Sequence, residues 1–206
     1  MLVANDISIQ FGKERVIEHL SCHIHPGDFA CITGPSGCGK TSLLRAFIGL
    51  TPIADGEIII DKQLLNEKTC DTTRKKTSYL PQELSFPNET VNDFIAQTFR
   101  IGNCKNVQMR TDKLYDNLMR LGLDTDLLRK RLSEVSGGQR QRIMLATLAT
   151  LGKEIWLLDE PTAALDEVSR NLVIDFLLEQ QQRGTTIVAV SHDQQFASHC
   201  STLIQL

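Results

Sequence analysis

The stretch Gly34-Pro35-Ser36-Gly37-Cys38-Gly39-Lys40-Thr41 fits the pattern G-x-x-x-x-G-K-[ST]. It follows a short apolar run at 29–33 and precedes a segment with helical spacing at 41–50. A phosphate-binding loop needs this context of a buried strand, a glycine-rich turn and a helix. The glycines let backbone N–H groups turn toward phosphate oxygens, and the helix N-terminus adds partial positive charge. The pattern therefore predicts a site for a nucleoside triphosphate.

Two side chains of this loop have chemical roles of their own. Lys40 is expected to reach the β- and γ-phosphates, and the Thr41 hydroxyl is expected to ligate Mg²⁺. The other residues expected to contact the nucleotide are Gly34, Pro35, Ser36, Gly37, Cys38, Gly39 and Ser42. The loop alone does not distinguish between the protein families that share it.

A second apolar run, at 155–158, ends in the carboxylates Asp159 and Glu160. Ligands collect at the carboxyl ends of strands in a buried parallel sheet. Asp159 is therefore expected to hold Mg²⁺, and Glu160 to orient the attacking water or accept its proton. The loop and these carboxylates together predict ATP and Mg²⁺ as the ligands of an ATP-hydrolysing site.

Hydrophobic periodicity predicts an α/β fold with a mostly parallel sheet, because strand-like runs alternate with helical segments. The expected strands are at 2–10, 16–24, 29–33, 58–60, 154–158 and 185–190, and the expected helices at 41–50, 139–151, 168–182 and 194–199. The segment at 87–135 is polar and has helical spacing, which indicates a mostly helical insertion.

Composition narrows the class of protein further. Of the 206 residues, 41% are hydrophobic and 23% are charged, as in ordinary globular domains. The net charge of -3 includes no basic excess, so no nucleic acid partner is expected. The apolar runs are strand-sized, the first residues lack a secretory pattern, and the six cysteines contain no C-x-x-C pair. We therefore expect an intracellular domain that reaches a membrane only through a partner.

The stretch Val135-Ser136-Gly137-Gly138-Gln139 resembles the Leu-Ser-Gly-Gly-Gln signature of ATP-binding cassette (ABC) ATPases, with Val in place of the first Leu. A serine, two glycines and a helix N-terminus form a second anion site. In the family, this signature contacts the γ-phosphate that is bound to the other subunit. The resemblance therefore implies that Ser136, Gly137, Gly138 and Gln139 bind nucleotide across a dimer interface.

Further family positions follow in order along the chain. Residues 79–82 resemble the Q-loop, in which Gln82 would contact Mg²⁺ and the attacking water. Residues 164–166 resemble the D-loop, and residues 190–193 resemble the H-switch, in which His192 would hydrogen-bond the γ-phosphate. Phe11 takes the place of the aromatic residue that stacks on adenine, a role that requires only a ring face.

The resemblance also implies an architecture. A P-loop NTPase (RecA-like) core with a mostly parallel sheet would carry an N-terminal antiparallel β-subdomain and an inserted helical subdomain. The chain would then be one domain, with the core at 1–86 and 139–206 and the helical subdomain at 87–138.

A function follows from the same resemblance. The chain would be the ATP-hydrolysing subunit of a transporter, forming a head-to-tail homodimer, or a dimer with a paired ABC subunit, when ATP is bound. It would be cytoplasmic and peripheral on the inner face of the cell membrane, docked on a separate integral-membrane permease. The helical insertion and the loop near 82–90, with Phe86 and Pro87, would form the docking groove.

Two other functions share some of these motifs. A non-transport ABC ATPase that acts on ribosomes or DNA usually has two cassettes or a long inserted coiled coil, and the chain has neither. A P-loop kinase would share the phosphate loop but would need neither the signature stretch nor His192.

Overall fold

A computed structural model describes residues 1–82, 89–101, 107–163 and 165–206, with side chains for all of these except 101 and 107–109. The strands are β1 (Leu2–Phe11), β2 (Glu14–Ile24), β3 (Phe29–Thr33), β4 (Asp55–Ile60), β5 (Gln63–Leu64), β6 (Thr77–Leu80), β7 (Ile155–Asp159), β8 (Thr186–Val190) and β9 (Thr202–Gln205). The helices are α1 (Lys40–Ala46), α2 (Cys70–Lys76), α3 (Val91–Ile101), α4 (Val107–Arg120), α5 (Gly137–Leu151), α6 (Glu167–Gln182) and α7 (Gln194–Ser198). Short 3₁₀ turns lie at Thr125–Arg129 and Leu132–Glu134.

The central sheet has the strand order β6-β7-β8-β3-β9, and all its pairs are parallel. Strands β7 and β8 are buried along their whole length, as expected for parallel strands that are covered on both faces. Because the strands are parallel, the carboxyl ends of β3, β7 and β8 meet at one edge of the sheet. This edge carries the glycine loop, Asp159 and the segment that contains His192.

Alternate residues of the central strands enter two separate cores, as the pleat requires. Ile187 and Ala189 of β8 pack into the core that contains the helices α3 to α6. Val188 and Val190 of the same strand pack into the other core, with α1 and the second sheet. The sheet is therefore the middle layer between a helical layer and a mainly β layer.

The second sheet is antiparallel and has the order β2-β1-β4-β5. The buried residues Leu2, Ala4, Ile7 and Ile9 of β1 face the core that α1 also enters. The β1–β2 hairpin pairs Ile9 with Ile17, which brings β2 next to the glycine loop. The prediction of an α/β fold with parallel and antiparallel sheets is confirmed.

Helix α5 is buried along most of its length, and its polar side chains there are paired. The hydroxyls of Thr147 and Thr150 donate to the carbonyls of Ile143 and Ala146, each at 2.8 Å. Asn117 of α4 donates from Nδ2 to Thr150 Oγ1 at 3.1 Å. Buried polar groups that are satisfied in this way cost little, so α5 can pass through the helical core.

The structure corrects several sequence expectations. Helix α1 ends at Ala46 rather than at residue 50, because Gly49 adopts a left-handed φ of 67°.

The sequence did not predict α2, β5, β6 and β9, because each of these elements is short and lacks a strong hydrophobic periodicity. The segment at 87–135 contains α3, α4 and the two 3₁₀ turns, although residues 87–88 and 102–106 lie outside the described part. The division into core and helical subdomain stays a prediction.

Within the described ranges, no helix has the length and apolar character needed to traverse a bilayer.

Candidate functional site

A cavity of about 250 Å³ opens at the carboxyl edge of the central sheet. It is lined by residues from widely separated parts of the sequence, most of them predicted to act on nucleotide or metal. Its lining consists of Ser36, Gly37, Gly39, Lys40, Thr41, Ser42, Gln82, Asp159, Glu160, Val190 and His192. Of these, only Val190 was not predicted as a site residue, and it lies there because β8 ends beside β7.

Gly39 shows why the loop requires glycine. Its φ is 97°, in the left-handed region, and it caps the N-terminus of α1. A Cβ at this position would lie 3.0 Å from Ile17 Cγ1 of β2, closer than nearly all such contacts. Both the backbone conformation and the close approach of the hairpin therefore make other residues at this position strained.

Lys40 is buried and bonded inside its own loop. Its Nζ donates to the carbonyls of Pro35 and Gly34, at 2.7 Å and 3.0 Å, and lies 3.9 Å from Cys38 Sγ. These bonds hold the ammonium group at the cavity wall. A phosphate that binds in the cavity would compete with these two carbonyls for the three N–H donors of the Lys40 ammonium group.

Thr41, at the start of α1, contacts Asp159, at the end of β7. Thr41 Oγ1 donates to Asp159 Oδ1 at 3.1 Å, while the buried Oδ2 has no hydrogen-bond partner. Burial raises the pKa of Asp159, against the hydrogen bond from Thr41 and the charges of Arg45 and Lys40. A buried carboxylate oxygen without a partner, beside a hydroxyl, fits a hard divalent cation.

The protein residues would supply only part of such a metal site. The described part of the chain contains no group of three or more His, Cys, Asp or Glu residues able to hold a metal ion. Mg²⁺ is usually bound through one or two carboxylates together with phosphate oxygens and waters. The donor set of Thr41 and Asp159 therefore suits Mg²⁺ that arrives with a nucleotide.

Glu160 has an unusual backbone conformation for a non-glycine residue, with a φ of 52°. Its N–H donates to the carbonyl of Val190 at 3.0 Å, and its own carbonyl accepts from Gln141 Nε2 at 2.6 Å. The side chain is only 9% exposed, and Oε1 lies 3.4 Å from Nε2 of the half-exposed His192. Burial raises the pKa of Glu160, an effect that the neighbouring His192 opposes. A carboxylate with a raised pKa in a cavity can accept a proton from water.

The predicted signature residues do not line this cavity. Ser136 is the N-cap of α5, and its Oγ accepts from the Gln139 N–H at 3.2 Å. In return, Gln139 Oε1 accepts from the Ser136 N–H at 3.1 Å, which completes a capping box. Ser136 and Gly137 are exposed and Gly138 is partly exposed, so this helix end is accessible from outside the chain.

The remaining predicted residues lie around the cavity or beyond the described part. Gly34, Pro35 and Cys38 belong to the loop without lining the cavity. Phe11 ends β1 with half of its surface exposed, so its ring is free for stacking, but it is not part of the cavity wall. Ala164 of the D-loop stretch, and Phe86 and Pro87 of the predicted docking loop, lie outside the described residues.

Comparison with known proteins identifies the family. The family model described as ABC transporter matches residues 17–163. The spermidine/putrescine import ATP-binding protein PotA of Marinobacter nauticus is 32% identical over 198 residues, covering 96% of this chain and 52% of PotA. The manganese transport system ATP-binding protein MntB of Listeria monocytogenes is 30% identical over 192 residues, covering 91% of this chain and 78% of MntB. The chain therefore belongs to the ABC transporter family, as its signature stretch predicts.

The fold agrees with a solved cassette. A dimeric, post-hydrolysis ATP-binding cassette bound to ADP and phosphate has a TM-score of 0.89 and 24% identity, covering 100% of this chain and 94% of that chain. At this identity the likeness demonstrates the shared fold alone. The chain spans about half the length of the first curated relatives that it matches, 43% and 52%.

Proposed function

We propose that this chain binds ATP with Mg²⁺ and hydrolyses it, as the ATP-binding subunit of an ABC transporter. The observation that carries the proposal is the single cavity that brings together Lys40, Thr41, Asp159, Glu160 and His192. The loop and the carboxylates come from strands more than 100 residues apart, yet Thr41 and Asp159 are in hydrogen-bond contact. A structural turn rich in glycine would not require this assembly.

Each side chain has a distinct part in the proposed reaction. Lys40 and the loop N–H groups hold the β- and γ-phosphates. Thr41, Asp159 and Gln82 would hold Mg²⁺, which would supply positive charge that neutralises the phosphates. Glu160 takes a proton from water as the water oxygen bonds to the γ-phosphorus and the bond to the ADP oxygen breaks. His192 hydrogen-bonds the γ-phosphate. Catalysis is then mainly positioning and electrostatics.

The signature completes the site from a second chain in this proposal. Ser136, Gly137, Gly138 and Gln139 lie outside the cavity at an accessible helix N-terminus, which is suited to anions. Two copies arranged head to tail would bring each signature to the nucleotide of the other. ATP binding would close this dimer and hydrolysis would open it.

A membrane permease is the proposed partner, with the chain at the cytoplasmic face of the membrane. The relatives PotA and MntB are named for polyamine import and manganese transport, which favours transport over action on ribosomes or DNA. A groove of about 290 Å³ between α3 and α4 offers a docking site, lined by the apolar Ile95, Phe99 and Leu114 among others. The guanidinium of Arg110 lies 5.9 Å from the centre of the Phe99 ring and gives the groove a cationic rim.

Hydrolysis is tested with the purified chain, ATP and Mg²⁺. We expect phosphate release to water, without an added acceptor, and a loss of about 10²–10⁴-fold in Glu160→Gln, as for removal of a general base. Lys40→Met should lose nucleotide binding as well. The exposed residues Glu67 and Lys68 provide matched controls, because Glu67→Gln and Lys68→Met make the same chemical changes outside the cavity. Phosphate transfer only to an added acceptor would point to a kinase instead.

Docking is tested with a charge placed in the groove. Ala96 lines it, so Ala96→Glu should remove co-purification of the permease and its stimulation of hydrolysis, while hydrolysis by the isolated chain is retained. Met119→Glu is the matched control, since Met119 is 61% exposed on α4 and does not line the groove. Equal permease binding by both variants would refute this docking site.

A further inference from the structure

We propose that Gln141 is a positioning residue for Glu160, holding the backbone of the general base in the conformation that hydrolysis requires. This inference rests on the proposed ATP hydrolysis. Gln141 belongs neither to the cavity wall nor to the signature stretch, and sequence analysis did not select it. It is a buried residue of α5, with only 6% of its surface exposed.

The contact between the two residues is direct. Gln141 Nε2 donates to the carbonyl oxygen of Glu160 at 2.6 Å, across 19 positions of sequence. Among the residues that the structure describes, the N–H of Ala163 also donates to this carbonyl, at the longer distance of 3.3 Å. The hydrogen bond from the Gln141 side chain is therefore shorter than the one from the Ala163 backbone.

Glu160 needs such support because its backbone is in the left-handed region, with a φ of 52°. A non-glycine residue stays in that region only when its surroundings hold it there. On one side, the Glu160 N–H donates to Val190 at 3.0 Å, and on the other side Gln141 holds the carbonyl. With both peptide groups held, the carboxylate is directed into the cavity toward His192. A general base must be held to within a fraction of an ångström of its reacting geometry.

The helix that carries Gln141 is itself fixed. The capping box of Ser136 and Gln139 closes its first turn. Arg142, the next residue, donates from Nη1 to the carbonyl of Leu121 at 2.8 Å and from Nε to that of Gly138 at 3.3 Å. These hydrogen bonds hold the helix in place, and the helix in turn holds the Gln141 amide next to the Glu160 carbonyl.

The experiment compares Gln141→Met with a matched control in the same helix. Methionine keeps the length and the unbranched shape of glutamine but cannot donate. Thr147→Val is the control, because Thr147 is also a buried polar residue of α5 and its hydroxyl donates to the Ile143 carbonyl of the same helix. Thermal unfolding, ATP affinity, kcat and KM are measured for both variants. We expect kcat of Gln141→Met to fall by tenfold or more, with KM and ATP affinity within twofold of the unsubstituted chain, and Thr147→Val to keep its kcat.

A second background separates positioning from general packing. If Gln141 acts through Glu160, Gln141→Met should cause no further loss when added to Glu160→Gln, because interacting residues are not additive. Should Gln141→Met fail to fold, Gln141→Asn gives the same test, since its amide is withdrawn by one carbon and cannot reach the carbonyl. Unchanged kcat in a folded variant, or an equal loss on the Glu160→Gln background, would overturn the inference. Absence of hydrolysis in the unsubstituted chain would instead overturn the proposed function.

Discussion

Glu160 and Asp159 are adjacent buried carboxylates, and each has a polar oxygen without a hydrogen-bond partner in the described part of the protein. Burial raises the pKa of both groups. Asp159 is compensated in part by Thr41, and Glu160 by His192. Burial of these carboxylates therefore lowers the free energy of unfolding. Sites that bind substrate often contain such buried charges with shifted pKa values.

The burial of this carboxylate gives Glu160→Gln a defined effect on stability. The folded protein holds the Glu160 proton more tightly than the unfolded chain does, so the ionised form opposes folding. The penalty is absent below the unfolded pKa of about 4.3, grows as the pH rises through the raised folded pKa, and is complete above it. We therefore expect Glu160→Gln to have a higher Tm than the unsubstituted chain at pH 8, without nucleotide or Mg²⁺.

Thermal unfolding across pH measures this effect. The difference in Tm should shrink on acidification and vanish below about pH 4. The exposed Glu154 provides the control, because Glu154→Gln makes the same chemical change at the protein surface. A Tm difference of the same size at every pH would contradict the assignment.

For single residues, the order of motifs predicted which side chains act on the nucleotide, and these roles stay predictions. The structure places six of these residues around one cavity: Lys40, Thr41, Gln82, Asp159, Glu160 and His192. The sequence could not predict the left-handed backbone of Glu160 or the bond from Gln141. Both depend on contacts between distant segments, such as the bond between Glu160 and Val190, which have no local signal.

Helix α5 differs in exposure between its first turn and its body. Its first turn is accessible and capped by Ser136, whereas its body is buried in the helical core. The Ser136 hydroxyl therefore has one role within the helix and a second, proposed role toward nucleotide. The two roles can be separated by substitution.

Ser136→Asp should keep the cap and lose the function. Aspartate is as good an N-cap as serine, so the Tm should stay close to that of the unsubstituted chain. Its negative charge would repel the phosphate of a partner, so ATP-induced dimerisation and hydrolysis should fall. Ser136→Ala should instead destabilise the protein by about 1 kcal/mol, the usual cost of a lost cap. Thermal unfolding and hydrolysis assays on both variants measure this, and full activity in Ser136→Asp would refute the proposed role.

Elements with strong periodicity or a complete apolar run were predicted nearly to the residue, as for β3 and α6. The elements that were not predicted are stabilised by contacts with neighbouring elements of the fold. Strand β9 has only four residues and alternates in burial, and its partner is β3, far away in sequence. The local sequence pattern does not predict a strand whose stability depends on pairing with a distant strand.

At the scale of the whole molecule, the chain carries both a cavity and a signature that does not line it. Glu160→Gln should retain ATP by blocking hydrolysis, so with ATP and Mg²⁺ it should elute at twice the 23.0 kDa monomer mass. Size-exclusion chromatography with light scattering measures this. Adding Ser136→Asp to the same variant should restore the monomer, and a Glu160→Gln sample that stays monomeric at saturating ATP would contradict head-to-tail pairing.

The place of β3 in the sheet also affects how this protein is made. Strand β3 carries the glycine loop, yet both its neighbours, β8 and β9, are built from residues 186–205. Phe29 pairs with Ile187, and Cys31 pairs with Leu203. On the ribosome, β3 therefore emerges long before either of its neighbours exists, and its edges stay unpaired while more than 150 residues are added. Because non-local pairing of this kind forms late, we expect the nucleotide loop to reach its final shape only after β8 and β9 have been made.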